Sequence, residues 1–98
     1  MKKSGLKSVV QELSVNDSDR VMVQDILEGR AMGRNVVHVW NDEGMLRTYN
    51  GRIEKLKANK KYKVAYWGAD ESYDDAVDYD VSMYELAVDL LLGDLVLS

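Results

Sequence analysis

Hydrophobic residues recur at two different spacings along the chain, and the spacing changes between Gly29 and Gly33. Before this point, four apolar residues have the i, i+3, i+4, i+7 spacing of one helical face, namely Leu6, Val9, Val10 and Leu13. A second apolar stretch follows Asp17, begins with acidic side chains that favour a helix start, and stops at Gly29. The pattern therefore predicts two short helices, one over residues 6–13 and one from Asp17 to Glu28.

After Gly33 the apolar residues fall in short runs rich in β-branched and aromatic side chains, separated by turn residues. Gly51 lies inside one of these runs and indicates a bulge or a bend. Residues 84–92 have helical composition and predict a helical turn. The predicted strands are Val36–Trp40, Met45–Leu56, Tyr62–Trp67, a segment between Tyr73 and Met83, and Asp94–Leu97.

Together these elements predict a mainly β chain, with a small, partly closed five-stranded barrel of SH3-like or Tudor-like size, preceded by two short helices. We expect an N-terminal helical segment at residues 1–29 and the barrel at residues 30–98. A chain of 98 residues with 46% hydrophobic and 31% charged content accommodates one such core.

The composition argues against an enzyme, a metal-binding protein and a membrane protein. The chain has one His and no Cys, and it has no phosphate loop or nucleophile elbow, so we expect no enzyme activity, no cofactor and no metal site. His38 is expected to be a hydrogen-bonded structural residue, because no second His or Cys exists to share a metal. No apolar run is long enough for a bilayer, and the first residues lack the apolar core of a signal peptide, which favours a soluble intracellular protein.

Charge is unevenly distributed around the net value of −4. Residues 52–63 contain six basic side chains, whereas residues 70–80 contain six acidic ones and no basic one. The acidic total argues against nucleic-acid binding, which depends on Lys and Arg, although the basic hairpin leaves RNA as an alternative. Both runs are typical of solvated surface, but Asp70, Glu71 and Asp74 are also placed to steer a cationic peptide.

Aromatic residues are concentrated in the predicted barrel and comprise two Trp and six Tyr, with no Phe. Proteins hold methylated ammonium groups between such rings, because the ring faces are negative and the cation is weakly hydrated. Strand alternation places Trp40 on the same side as His38 and Tyr66 on the same side as Val64, while Trp67 points the other way. Any of these rings is alternatively a core residue.

Short motifs in a fixed order extend over about two-thirds of the chain, and in this order they resemble one repeat of the Spindlin family, a branch of the Tudor-like methyl-lysine readers. The motifs are Gly33, His38-Val39-Trp40, Tyr49-Asn50-Gly51, Val64-Ala65-Tyr66, Tyr84-Glu85-Leu86 and Gly93-Asp94-Leu95.

The resemblance implies an aromatic cage with Trp40, Tyr49 and Tyr66 as three walls. It places a fourth wall two residues before Tyr84, where this chain has Ser82; either Tyr79 takes that role or the cage is open on one side. The implied partner is a methylated Lys or Arg on a basic peptide such as a histone tail, and the implied compartment is the nucleus.

A second hypothesis is an interaction or scaffolding domain without a functional cage. In that case the N-terminal helices, or an exposed edge of the barrel, would bind a partner protein or a second copy of the chain.

Overall fold

The computed structural model describes residues 17–98. The helix predicted over residues 6–13 lies outside the described residues. The helices are α1 (Asp17–Leu27) and α2 (Met83–Leu92), and a short 3-10 helix spans Tyr73–Asp75. The strands are β1 (Asn35–Asp42), β2 (Met45–Leu56), β3 (Lys61–Trp67), β4 (Val77–Ser82) and β5 (Leu95–Leu97).

All five strands form one antiparallel sheet in the order β4-β3-β2-β1-β5, which confirms the prediction of a mainly β chain with five strands. The prediction of a barrel is wrong, because the sheet is open and β4 and β5 are its two edges. The reason lies in α2, which connects β4 to β5 and packs against both strands. In a closed barrel β4 and β5 would pair through backbone hydrogen bonds, whereas here α2 packs against both strands.

The two described helices do not both precede the sheet, which corrects the predicted arrangement. Helix α1 precedes β1 and matches the predicted second helix to within one residue, whereas α2 lies on the C-terminal side, between β4 and β5. The Ser82 hydroxyl caps α2 by accepting a hydrogen bond from the Tyr84 backbone N–H (3.2 Å), and Gly93 ends the helix with a φ of 85°. Neither described helix is long and apolar enough to cross a membrane.

The core lies between the two helices and one face of the sheet, here called the inner face. Helix α1 contributes Val23 and Ile26, α2 contributes an apolar stripe, and the strands contribute side chains that alternate toward the helices. The buried Tyr62 hydroxyl donates a 2.6 Å hydrogen bond to the Ile26 carbonyl, which joins β3 to the end of α1. The stripe on α2 consists of Met83, Leu86, Ala87 and Leu90.

Gly51 lies in β2 between its pairing partners Val36 of β1 and Tyr66 of β3. A Cβ atom at this position would lie 2.7 Å from Val36 Cγ2 and 3.0 Å from Tyr66 Cδ1. The missing side chain therefore lets the Tyr66 ring lie directly over the β2 backbone. The pairing of β2 with β3 is irregular between Ile53 and Lys55, so the long β2 strand contains the expected bulge close to, but not at, the glycine.

Candidate functional site

A cavity of about 400 Å³ lies at one end of the inner face, beside α2. Its size falls in the range of small-ligand sites. The four aromatic residues that the sequence selected as cage walls all line it, namely Trp40, Tyr49, Tyr66 and Tyr79.

Strand register explains why rings from four strands meet in one place. Tyr49 of β2 pairs with His38 of β1, and it therefore shares a face with Trp40, two residues after His38. Tyr66 of β3 pairs with Gly51, two residues after Tyr49 on the same face. Tyr79 of β4 pairs with Val64, two residues before Tyr66. All four rings consequently belong to the inner face.

Three of the four rings, those of Trp40, Tyr66 and Tyr79, form a continuous aromatic surface from the interior to the solvent. The Trp40 and Tyr66 ring centroids are 5.7 Å apart with an interplanar angle of 83°, and the Tyr66 and Tyr79 centroids are 6.0 Å apart at 58°. Tyr66 is 5% exposed, whereas Tyr79 is 56% exposed. Tyr66 therefore forms the inner end of this surface and Tyr79 forms its rim.

Tyr79 provides the fourth ring at the cavity, and Ser82 does not line it. Ser82 caps α2, as described above, so the position that the resemblance assigns to an aromatic wall has a helix-starting role in this chain. The loop between β3 and β4 is held by contacts of the Tyr73 side chain, one of them with Trp67, which also lines the cavity. The Tyr73 ring packs edge-on against Trp67 (5.6 Å), lies under the Arg52 guanidinium (4.5 Å) and donates its hydroxyl to Glu54 (2.9 Å).

A buried chain of hydrogen bonds holds the Tyr66 ring in place. His38 is 0% exposed, and its Nδ1 lies 2.7 Å from the Tyr66 hydroxyl oxygen, while its Nε2 lies 2.7 Å from Asp89 Oδ2 on α2. A carboxylate oxygen accepts, so Nε2–H donates to Asp89; with that single proton on the ring, Nδ1 accepts from the Tyr66 hydroxyl. His38 also packs on Trp40 with ring centroids 4.2 Å apart. One histidine thus positions two of the four rings.

Burial raises the pKa of the Tyr66 hydroxyl, and the nearby carboxylates of Glu85 and Asp89 raise it further. The phenol therefore remains protonated at neutral pH. This state supplies the hydrogen that His38 accepts.

Acidic side chains surround the cavity, and among residues 17–98 no Lys or Arg lines it. Most of these carboxylates already have a partner. Asp42 is paired with Arg47 (3.4 Å), Asp80 with Lys57 (2.9 Å), and Asp75 accepts from the Ser72 backbone N–H (3.1 Å). Such a site favours a cation over an anion.

The three acidic residues predicted to steer a peptide lie in different places. Glu71 lines the cavity, and its carboxylate accepts a 2.8 Å hydrogen bond from the Gly68 backbone N–H. Asp70 and Asp74 are exposed on the loop and do not line the cavity.

Sequence reasoning missed Glu85, the acidic residue that α2 places at the cavity. The signal that identifies it is present in the sequence, because Met83, Leu86, Ala87 and Leu90 have the spacing of a helical face. A helix here puts Glu85 one turn before Asp89. Within residues 17–98, no three His, Cys, Asp or Glu side chains converge in a way that could hold a metal ion.

Comparisons with protein-family models, with curated proteins and with solved structures find no match for this chain.

Proposed function

We propose that this chain is a noncatalytic binding module that recognises a methylated Lys or Arg side chain on a basic peptide, such as a histone tail. The observation that carries the proposal is the convergence of four aromatic rings and several carboxylates on one cavity of suitable size. A methylated ammonium group is attracted to each ring face by about 0.5–2 kcal/mol, depending on how far it is desolvated. Four rings around one cation therefore supply a useful share of a binding free energy.

The resemblance to Spindlin repeats agrees with this proposal, and we extend it to a Tudor-like, nuclear reader module. Support comes from the antiparallel strand order, in which β5 returns to pair with β1. The sheet differs from a closed barrel because the edge strands β4 and β5 do not pair, and α2 packs against both of them.

The basic hairpin gives less support to RNA as the ligand. Lys57 is paired with Asp80 (2.9 Å) and Lys63 with Asp78 (3.3 Å), so the carboxylates of β4 already neutralise part of the positive surface. Phosphate binding would have to break these pairs.

Tyr79 offers the cleanest test, because it is the most exposed of the four rings and its replacement should not unfold the chain. Calorimetric titration with a methylated histone-tail peptide compares wild type with Tyr79→Phe and Tyr79→Leu. The Phe variant keeps the ring face and should bind as wild type does. The Leu variant keeps apolar bulk and loses the ring, so its affinity should fall about 2- to 30-fold, corresponding to one cation–π contact. Equal affinities for the Phe and Leu variants would contradict a cation–π cage.

A further inference from the structure

Glu85 lies in the first turn of α2 and faces the same cavity as the aromatic rings. It precedes Asp89 by one helical turn, which puts the two carboxylates on one side of α2. Asp89 is engaged by His38, which in turn positions Tyr66. Glu85 is therefore fixed by the helix next to the hydrogen-bond chain that holds the inner ring.

Glu85 differs from the other acids at the cavity because its carboxylate makes no hydrogen bond or ion pair with any described residue. Asp42, Asp75 and Asp80 have the partners given above, and Glu71 accepts from the Gly68 backbone. His38 and Lys61 both stabilise the ionised form of Glu85, but neither forms an ion pair with it among the described residues. Glu85 is thus the carboxylate that remains available to a ligand.

The surroundings of Glu85 favour the arrival of a positive charge. Partial burial raises the pKa of its carboxyl group, and the neighbouring Asp89 raises it further. A cation beside the carboxylate offsets the effects of burial and of Asp89, because an opposite charge stabilises the ionised form.

Methylated cations differ in whether they retain a proton to donate. Trimethyl-lysine has no N–H, so it offers its charge and its methyl groups only. Monomethyl- and dimethyl-lysine keep at least one N–H, and methylated arginine keeps several. A hydrogen bond from such an N–H to a carboxylate is charge-assisted and stronger than a neutral one.

We infer that Glu85 makes this site selective for methylated cations that still carry an N–H, namely monomethyl-lysine, dimethyl-lysine or methylated arginine, over trimethyl-lysine. The inference rests on the proposed function, because it assigns the ligand class of the same cavity. The rings hold the methyl groups, and the Glu85 carboxylate accepts the remaining N–H.

The test uses single amino-acid probes, so that flanking peptide sequence plays no part. N-acetyl methylamide derivatives of mono-, di- and trimethyl-lysine and of asymmetric dimethyl-arginine are titrated into the labelled full chain and followed by NMR. Wild type should bind the dimethyl-lysine probe about tenfold more tightly than the trimethyl probe, which corresponds to one charge-assisted hydrogen bond. The arginine and monomethyl-lysine probes show which N–H donor the cavity fits best.

Two isosteric variants control for shape. Glu85→Gln should reduce dimethyl-lysine affinity to the level of trimethyl-lysine. Glu28→Gln should leave the ratio unchanged, because Glu28 does not line the cavity and is paired with Arg30 (3.1 Å). Wild type that binds trimethyl-lysine as tightly as dimethyl-lysine would overturn the inference and leave the reader function standing. A Glu85→Gln variant that keeps the wild-type ratio would also overturn it. Binding of none of the probes would contradict the proposed function itself.

Discussion

Replacing Tyr66 by phenylalanine should destabilise this domain even though the ring, and hence the aromatic surface, is retained. The Tyr66 hydroxyl lies 2.7 Å from Nδ1 of His38, a side chain that is 0% exposed. Removing the hydroxyl leaves this nitrogen buried without a partner, because the other ring nitrogen is engaged by Asp89.

The expected loss follows from the cost of an unsatisfied buried polar group, about 1–3 kcal/mol. For a domain of this size, 1 kcal/mol corresponds to roughly 4–8 °C in Tm, so a loss of about 2 kcal/mol lowers Tm by roughly 8–16 °C. The free energy of unfolding is measured by urea denaturation with fluorescence from Trp40 and Trp67.

Tyr79→Phe is the matched control, since it removes a hydroxyl from another ring of the same cavity. Tyr79 is 56% exposed and its hydroxyl has no partner among the described residues, so this variant should stay within about 0.5 kcal/mol of wild type. Equal stability of the two Phe variants would refute the claim that the His38 chain holds Tyr66 in place.

Three further predictions concern the sheet, the cavity and the N-terminal segment. Gly51→Ala should cost about 1–3 kcal/mol by overpacking Val36 and Tyr66, and an unchanged Tm in thermal unfolding would contradict the close packing of these two side chains on Gly51. Burial raises the pKa of Glu85, so the wild type should lose stability relative to Glu85→Gln as pH rises from the ordinary Glu value of 4.5 through the folded-state pKa. Below this window the stability difference should no longer change with pH. A difference in urea unfolding that is the same at all pH values would contradict the raised pKa. A chain starting at Asp17 should keep the oligomeric state and the ligand affinity of the full chain, as measured by size exclusion and titration. A change in oligomeric state would favour the interaction-domain hypothesis. The truncation stops before α1 because this helix contributes the core residues Val23 and Ile26.

Local sequence patterns were sufficient to predict five strands and, within β1 and β3, which side chains share a face. Alternation along β1 and β3 puts Trp40 with His38 and Tyr66 with Val64, and the register agrees. Sheet closure was not predictable in the same way, because it depends on how α2 packs between β4 and β5. The signals for that helix were nevertheless present in the Ser82 cap and the Gly93 stop.

The acidic residues show where sequence reasoning ends. A run of carboxylates identifies a charged loop, but it does not say which of them faces the cavity. That choice depends on the path of the loop, to which the contact of Tyr73 with Trp67 contributes. Glu71 consequently lines the cavity while Asp70 and Asp74 do not, and Glu85 reaches it from a different element.

The most direct test of the proposed function is an NMR titration of the labelled full chain with matched histone-tail peptides that are unmodified, lysine-methylated or arginine-methylated. We expect chemical-shift changes at the Trp40 indole N–H and at the amides of Tyr49, Tyr66 and Tyr79, with methylated peptides only. No change with any methylated peptide, or the same changes with the unmodified one, would contradict recognition of the methylated cation by these four rings.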